Sequence, residues 1–246
     1  MTDLIAAEFL KLRTTRTAWA LLAATVAVSG LAVAGAVIGG ARAADFDLES
    51  TRGVRTVLAV SASGAVFVLV LGIIISAGEY RQRTAIDAFL TTPRRWRVII
   101  AKLTAATSTG VLFGALSSGV AIAVASQVYR LKGYAFPLTS AEAWSTLAGA
   151  VLYAALFGAL GAATGSLVRN QVVAIVGWLA WLFVVEHVAG QLVRTVGRWL
   201  PAGAGRSLVR DPGNGLLSPG VAGVVLALYA VAIMAIAVVS ERYRDA

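Results

Sequence analysis

The sequence predicts an all-α membrane protein, a bundle of six transmembrane helices, on three observations. Of its 246 residues, 59% are hydrophobic and only 13% charged, against about half and about a quarter in an ordinary soluble domain. The apolar residues gather in long runs nearly free of charge, and the Lys and Arg residues stand mostly between those runs. None of the runs alternates apolar with polar residues as a membrane barrel strand does. In water a chain of this composition would expose large apolar patches. In lipid every backbone N–H and C=O must be paired within the segment, and the helix does that.

About 20 apolar residues cross the hydrocarbon core. Six stretches meet that length, near residues 19–40, 57–77, 103–126, 144–167, 171–190 and 220–240. The third belongs to a charge-free run from Leu103 to Tyr129, longer than a crossing needs. The fifth carries Glu186 and His187 near its end. Lys11, Arg13 and Arg16 before the first run, with Ala41-Arg42-Ala43 after it, have the layout of a signal peptide. The run is far longer than the roughly 7–15 residues of such a core, so it is expected to be a retained span. All six belong to one domain, residues 1–246.

With the N-terminus inside, twelve of the 21 basic residues fall on the inner side. Around the first three spans nine inner basic residues face three outer ones, Arg42, Arg52 and Arg55. The positive-inside rule then places both termini in the cytoplasm. The net charge of +9 fits attraction to anionic headgroups rather than to nucleic acid, because the cations flank apolar runs.

Between the spans the pattern changes. In residues 1–16, Leu4, Ile5, Phe9 and Leu12 share one helical face, with Glu8, Lys11 and Arg13 elsewhere. This predicts an amphipathic helix on the inner leaflet. The outer segments 41–56 and 130–142 read as loops without recognisable chemistry. In the outer segment 191–219, Leu192, Val193, Val196, Trp199 and Leu200 are helically spaced and predict a short helix dipping into the interface. Pro201, Pro212, Gly213 and Gly215 are expected to break its continuation. Gly35/Gly39, Gly110/Gly114 and Gly161/Gly165 have the small-xxx-small spacing that lets helices approach. Trp19, Trp96, Trp144 and Trp199 sit near span ends, where belts of tryptophan anchor membrane proteins. Trp178 and Trp181 lie inside the fifth span, where lining a pathway and packing against a neighbour are both open.

The most informative stretch is Gly78 to Lys102, GEYRQRTAIDAFLTTPRRWRVIIAK, on the inner side between the second and third spans. Residues 79–90 lack Pro and Gly and suit a short helix, with Ile86, Phe89 and Leu90 turned to the membrane or the bundle. Thr91-Thr92-Pro93 stops it. Arg94, Arg95 and Arg97 then meet the headgroups, and Lys11, Arg13 and Lys102 serve as further interface anchors. An ordinary basic inner loop accounts for Arg94 to Arg97, but not for Gly78-Glu79-Tyr80-Arg81 with Thr84, Leu90 and Pro93 at their spacing.

That pattern, with Arg97 and Lys102 behind it, resembles the ABC-2 family of transporter permeases, especially its compact bacterial members. The opening Ala7-Glu8-Phe9-Leu10-Lys11-Leu12-Arg13, Glu186 late in the fifth span, and Leu200-Pro201-Ala202-Gly203-Ala204 look like the family's as well. The chain departs from many members at Arg83, where they carry a small residue. The resemblance implies a cytoplasmic coupling helix between spans 2 and 3, docked on a separate nucleotide-binding subunit through Gly78, Glu79, Tyr80, Arg81, Arg83, Thr84 and Asp87. It further implies a two-plus-two assembly with a second permease copy, in a bacterial plasma membrane.

The absences are consistent with a motor on another chain. No GxxxxGK[ST] loop is present, so ATP and Mg would be held by the partner subunit and this chain would need no cofactor. There is no cysteine and one histidine, His187, which removes thiolate and HExxH metal sites. No GxSxG elbow occurs, and Lys11, Lys102 and Lys132 stand at or beyond span ends. The chain is therefore expected not to be an enzyme. An intramembrane enzyme would need paired polar groups at mid-membrane, where the spans offer mostly lone Ser and Thr. A membrane-embedded sensor or immunity protein, binding a hydrophobic or amphipathic ligand without moving it, is the alternative to an exporter of such a cargo (drug, antibiotic, peptide or lipid). Glu186 leaves two readings open: an acid on the pathway beside Trp178 and Trp181, or an interfacial carboxylate paired with Arg194 or Arg198.

Overall fold

Helix formation follows the apolar runs throughout the computed structural model, which describes residues 2–42, 47–82, 95–138, 140–209 and 215–244. Among these residues there is no strand. The N-terminal helix α1 (Thr2–Thr14) is followed by α2 (Arg16–Gly40) and α3 (Thr51–Ala59). A 3-10 turn (Val60–Gly64) joins α3 to α4 (Ala65–Gln82). Then come α5 (Arg95–Lys132), α6 (Ala141–Val168) and α7 (Gln171–Ala180). A π turn (Trp181–Val185) runs from α7 into α8 (Glu186–Leu192). Two short helices, α9 (Arg194–Gly197) and α10 (Pro201–Leu208), precede the last helix, α11 (Pro219–Arg244). Six stretches are long and apolar enough to cross a membrane: Arg16–Gly40, Thr51–Gly78, Val98–Lys132, Ala141–Val168, Gln171–Leu192 and Pro219–Ser240. The chain is a multi-pass, membrane-type helical bundle.

The second and third spans run further than the charge-free stretches predict. Ser50 accepts a hydrogen bond from Gly53 N–H at 3.0 Å and caps α3. Val54 and Leu58 then bury against Ala143 and Leu147 of α6, so the outer loop ends at Ser50 instead of Thr56. The third span continues to Lys132 because Tyr129 is wholly buried, its hydroxyl donating to Leu48 C=O at 2.9 Å. It stops at Gly133, whose φ of +78° suits the left-handed terminus of a helix. Tyr134 N–H closes that end on Tyr129 C=O at 3.0 Å.

Helix α6 is the axis of the bundle. Of its most apolar window 78% is buried, against 11% in the fifth span, so these two spans have different neighbours. The burial follows from small residues at the crossings. Gly161 faces the Leu69 and Ile73 backbone of α4, and Gly158 faces Ala106 of α5. Gly110 and Gly114 of α5 approach Ala154 and Val151 of α6 in turn. Without a hydrophobic driving force between helices in lipid, such backbone approach supplies the van der Waals contact that holds them. In the third pair, a Cβ at Gly35 or Gly39 would meet nothing within 4 Å among the described residues. On the other side of α6, Ala222, Leu226 and Ala230 of α11 join Phe157 and Leu160 in the largest core cluster.

The two ends of the bundle are defined by contacts. At one end the segments near residues 47–50 and 129–136 meet, where Glu49 accepts from Ala135 N–H at 2.7 Å. At the other lie α1, the end of α4, the start of α5 and the turn from α6 into α7. That turn is two residues long. Arg169 takes a left-handed φ of 56°, and the Asn170 side chain caps α7 by accepting from Val172 and Val173 N–H.

The segment after the fifth span also differs from expectation. Pro201 does not end a helix but begins one, at the first turn of α10 where its missing N–H costs nothing. Helix α10 is buried along Pro201, Gly203, Ala204, Gly205, Ser207 and Leu208. Gly205 lies on the Tyr153 ring and Gly149 on the Leu208 carbonyl. Tyr153 stands twelve residues beyond Ala141, roughly 18 Å along the axis of α6. Helix α10 therefore packs well within the length of the spans.

Candidate functional site

Of the expected site residues, Lys11, Gly78 and Lys102 gather at the end where α1 meets α4 and α5. Helix α1 turns Leu4, Ile5, Glu8 and Leu12 inward, while Phe9 is 40% exposed. The expected apolar face is thus rotated to include Glu8 in place of Phe9. The reason is Lys102. Its Nζ lies 3.3 Å from Glu8 Oε1 and 3.4 Å from the Ile75 carbonyl oxygen near the end of α4. Lys11 Nζ donates to the same Glu8 oxygen at 2.9 Å. Glu8 is 6% exposed and Lys102 5%. Lys102, expected as a headgroup anchor, is instead a buried pin through three helices.

The pin has a definite mechanical consequence. A carboxylate in so dry a place is stable only while its cation stays. The pair therefore fixes the N-terminal helix to the third span, and the Ile75 contact brings in the second. Beside this joint is a cavity of about 350 Å³ lined by Glu8, Lys11, Thr15, Ile75, Gly78 and Gln171. Among the described residues, nothing lies within 4 Å of where a Cβ of Gly78 would stand.

The expected docking segment begins at this joint. Glu79, Tyr80 and Arg81 continue the backbone of α4, and Arg95 and Arg97 open α5; for these five the structure describes the backbone alone. Arg83, Thr84, Asp87 and Arg94 lie outside the described residues. Arg13 is exposed on α1, and its carbonyl accepts from the Trp19 indole N–H at 3.0 Å.

Glu186 occupies a second polar site, within the length of the spans where α10 packs. Its Oε2 accepts from Ala202 N–H at 2.8 Å, in the first turn of α10. Leu200, the residue before that helix, has no side chain able to cap it. Glu186 supplies the missing acceptor from another helix. The π turn makes this possible. An i→i+5 turn inserts one extra residue, which rotates the rest of the helix by about 100° and brings Glu186 to the buried face that holds Ala174 and Leu182. No ion pair joins Glu186 to Arg198 among the described residues; the Arg198 guanidinium lies 5.9 Å from the Trp199 ring centroid. Glu186 Oε1 is buried without a hydrogen-bond partner.

The two tryptophans of the fifth span part company. Trp178 N–H donates to Thr164 Oγ1 of α6 at 2.9 Å, which ties α7 to the bundle axis. Trp181 is 40% exposed. Sequence reasoning had no access to Glu8 as a buried residue or to Ala202 as a partner of Glu186. Both contacts are long-range, and both acids stand in segments whose hydropathy marks only helix. Among the described residues no group of three or more His, Asp or Glu side chains is placed to hold a metal ion.

No protein-family model matches the chain, and no curated protein matches it.

Proposed function

We propose that the chain is the permease subunit of an ABC-type exporter, moving a hydrophobic or amphipathic cargo with ATP hydrolysed by a separate P-loop subunit. On this reading it works as a dimer with a second permease copy, each bound to its own ATPase, in a bacterial plasma membrane with both termini cytoplasmic. ATP and Mg belong to the partner.

One observation carries the reading: the Glu8–Lys102–Ile75 joint ties α1 and α5 to the last turns of α4, just before the GEYR segment that ends that helix. A push delivered between the end of α4 and the start of α5 then moves α1, α4 and α5 as one body. Through the close glycine crossings it reaches α6. Transport by alternating access needs a rigid input of this kind feeding a bundle with two arrangements. The poorly buried fifth span leaves an apolar face for a second copy or for lipid. The sequence lacks a nucleotide-binding motif of its own, in keeping with a motor on another chain.

The test is co-purification of the full chain from its native membrane in mild detergents, with identification of bound proteins and an ATPase assay. The expected result is a stoichiometric P-loop ATPase that is lost when Glu79 and Arg81 are both changed to Ala. A chain that emerges without an ATPase in every detergent would overturn the reading and favour a ligand-binding sensor.

A further inference from the structure

A groove of about 350 Å³ runs between α1, α2 and α5 near the start of the first span. Its walls are Leu12, Trp19, Leu22, Leu112 and Phe113, with Arg13 at its rim. Thr109, which also lines it, spends its hydroxyl on the Ala105 carbonyl at 2.7 Å, so the wall it presents is apolar. We propose that this groove holds one acyl chain of an anionic phospholipid, whose phosphate sits on Arg13.

The order of groups along the groove carries the assignment. The Trp19 indole bonds to the Arg13 carbonyl at 3.0 Å. Indole rings settle at the headgroup level of a bilayer, so Arg13 stands at phosphate depth. Leu22 follows Trp19 by one turn towards the membrane interior, and Leu112 and Phe113 lie beside it on α5. Charge above and apolar walls below match a lipid's own sequence of parts.

The sign of the headgroup follows from the ionic arrangement. The acid nearest Arg13 on the buried side of α1 is Glu8, and Lys11 and Lys102 already hold it. Among the described residues Arg13 makes no ion pair with a carboxylate. Arg16, three residues on, adds a second exposed cation at the start of α2. Two cations facing outward at phosphate depth select net negative charge over a zwitterion. This inference rests on the membrane-spanning fold and does not depend on the transport reading.

The groove carries its own reporter. The full chain is placed in phosphatidylcholine nanodiscs in which a minority lipid with brominated acyl chains is either phosphatidylglycerol or phosphatidylcholine. Quenching of Trp19 is taken as the difference between the parent chain and its Trp19→Phe variant. Brominated phosphatidylglycerol is expected to quench Trp19 about fivefold more effectively, the ratio that one basic side chain supplies at a membrane surface. Arg13→Gln should cut the preference several-fold, leaving what Arg16 supplies, and Arg13→Lys should keep it. Unlabelled phosphatidylglycerol should relieve the quenching of the parent chain with saturation, which tests the site even where Arg13→Gln fails to fold. Equal quenching by the two lipids, a preference undiminished in Arg13→Gln, or relief that never saturates would each overturn the assignment.

Discussion

Glu8 and Lys102 stand 94 residues apart in the chain and meet at 3.3 Å. Breaking a buried ion pair costs up to about 3–5 kcal/mol when the other charge is left alone; here the cost should fall below that, because Lys11 also holds Glu8 and Lys102 also reaches the Ile75 carbonyl. Glu8→Lys and Lys102→Glu should each lower the thermal unfolding midpoint in detergent and the yield of monodisperse protein. The double exchange should recover part of the loss, limited by the cation that position 8 would then set beside Lys11; a double variant no better than either single one would show that the pair is incidental. Glu186 gives a contrasting case. Its carboxylate accepts from the first turn of α10, so Glu186→Gln, which keeps an acceptor, should be nearly neutral. Glu186→Ala should lose about 1–2 kcal/mol, the ordinary cost of a missing helix cap. If the Gln variant proved as damaging as Ala, charge rather than capping would be the reason for the residue.

Glycine at the helix crossings makes the element scale testable. A Cβ at Gly161 would overlap the Leu69 carbonyl oxygen, while one at Gly35 would meet nothing within 4 Å. Gly161→Val should therefore separate α4 from α6, with a cost of at least about 1–3 kcal/mol, and Gly35→Val should be tolerated, as read by thermal unfolding in detergent. A tolerant Gly161 variant would contradict the packing described for the axis of the bundle. At this scale most of the fold was legible from hydropathy, since a run long enough to span has few other solutions. What escaped were ends and bends. Residues 51–56 are amphipathic rather than apolar, so a search for charge-free runs stops short of the Ser50 cap. Pro201 reads as a breaker unless its place at a helix start is known. The π turn before Glu186 has no sequence mark, yet it decides which way that acid faces. The Gly35/Gly39 spacing looks the same as the two pairs that pack, because spacing says nothing of what lies opposite.

For the whole molecule, alternating spans place Gly78 and Gly133 at opposite ends of the bundle. The chain contains no cysteine, so Gly78→Cys and Gly133→Cys are clean single reporters of sidedness. A membrane-impermeant maleimide added to intact cells should label position 133 and not 78 if both termini are cytoplasmic; the reverse pattern would invert the topology. The candidate site was only partly legible. Gly78 to Arg81 stood out by pattern, whereas the joint beneath them depends on Glu8, which its own helix would place on the polar face. On the proposed reading this joint would pass a mechanical input on, since it binds three helices behind the segment. The sharpest measurement is a photo-activated cross-linker at position 78, where no described residue would meet a Cβ within 4 Å, with a second at the exposed Leu131 of the opposite end. Position 78 is expected to capture a P-loop ATPase in native membranes, and position 131 is not. Capture from neither position, or from 131 alone, would contradict the permease reading.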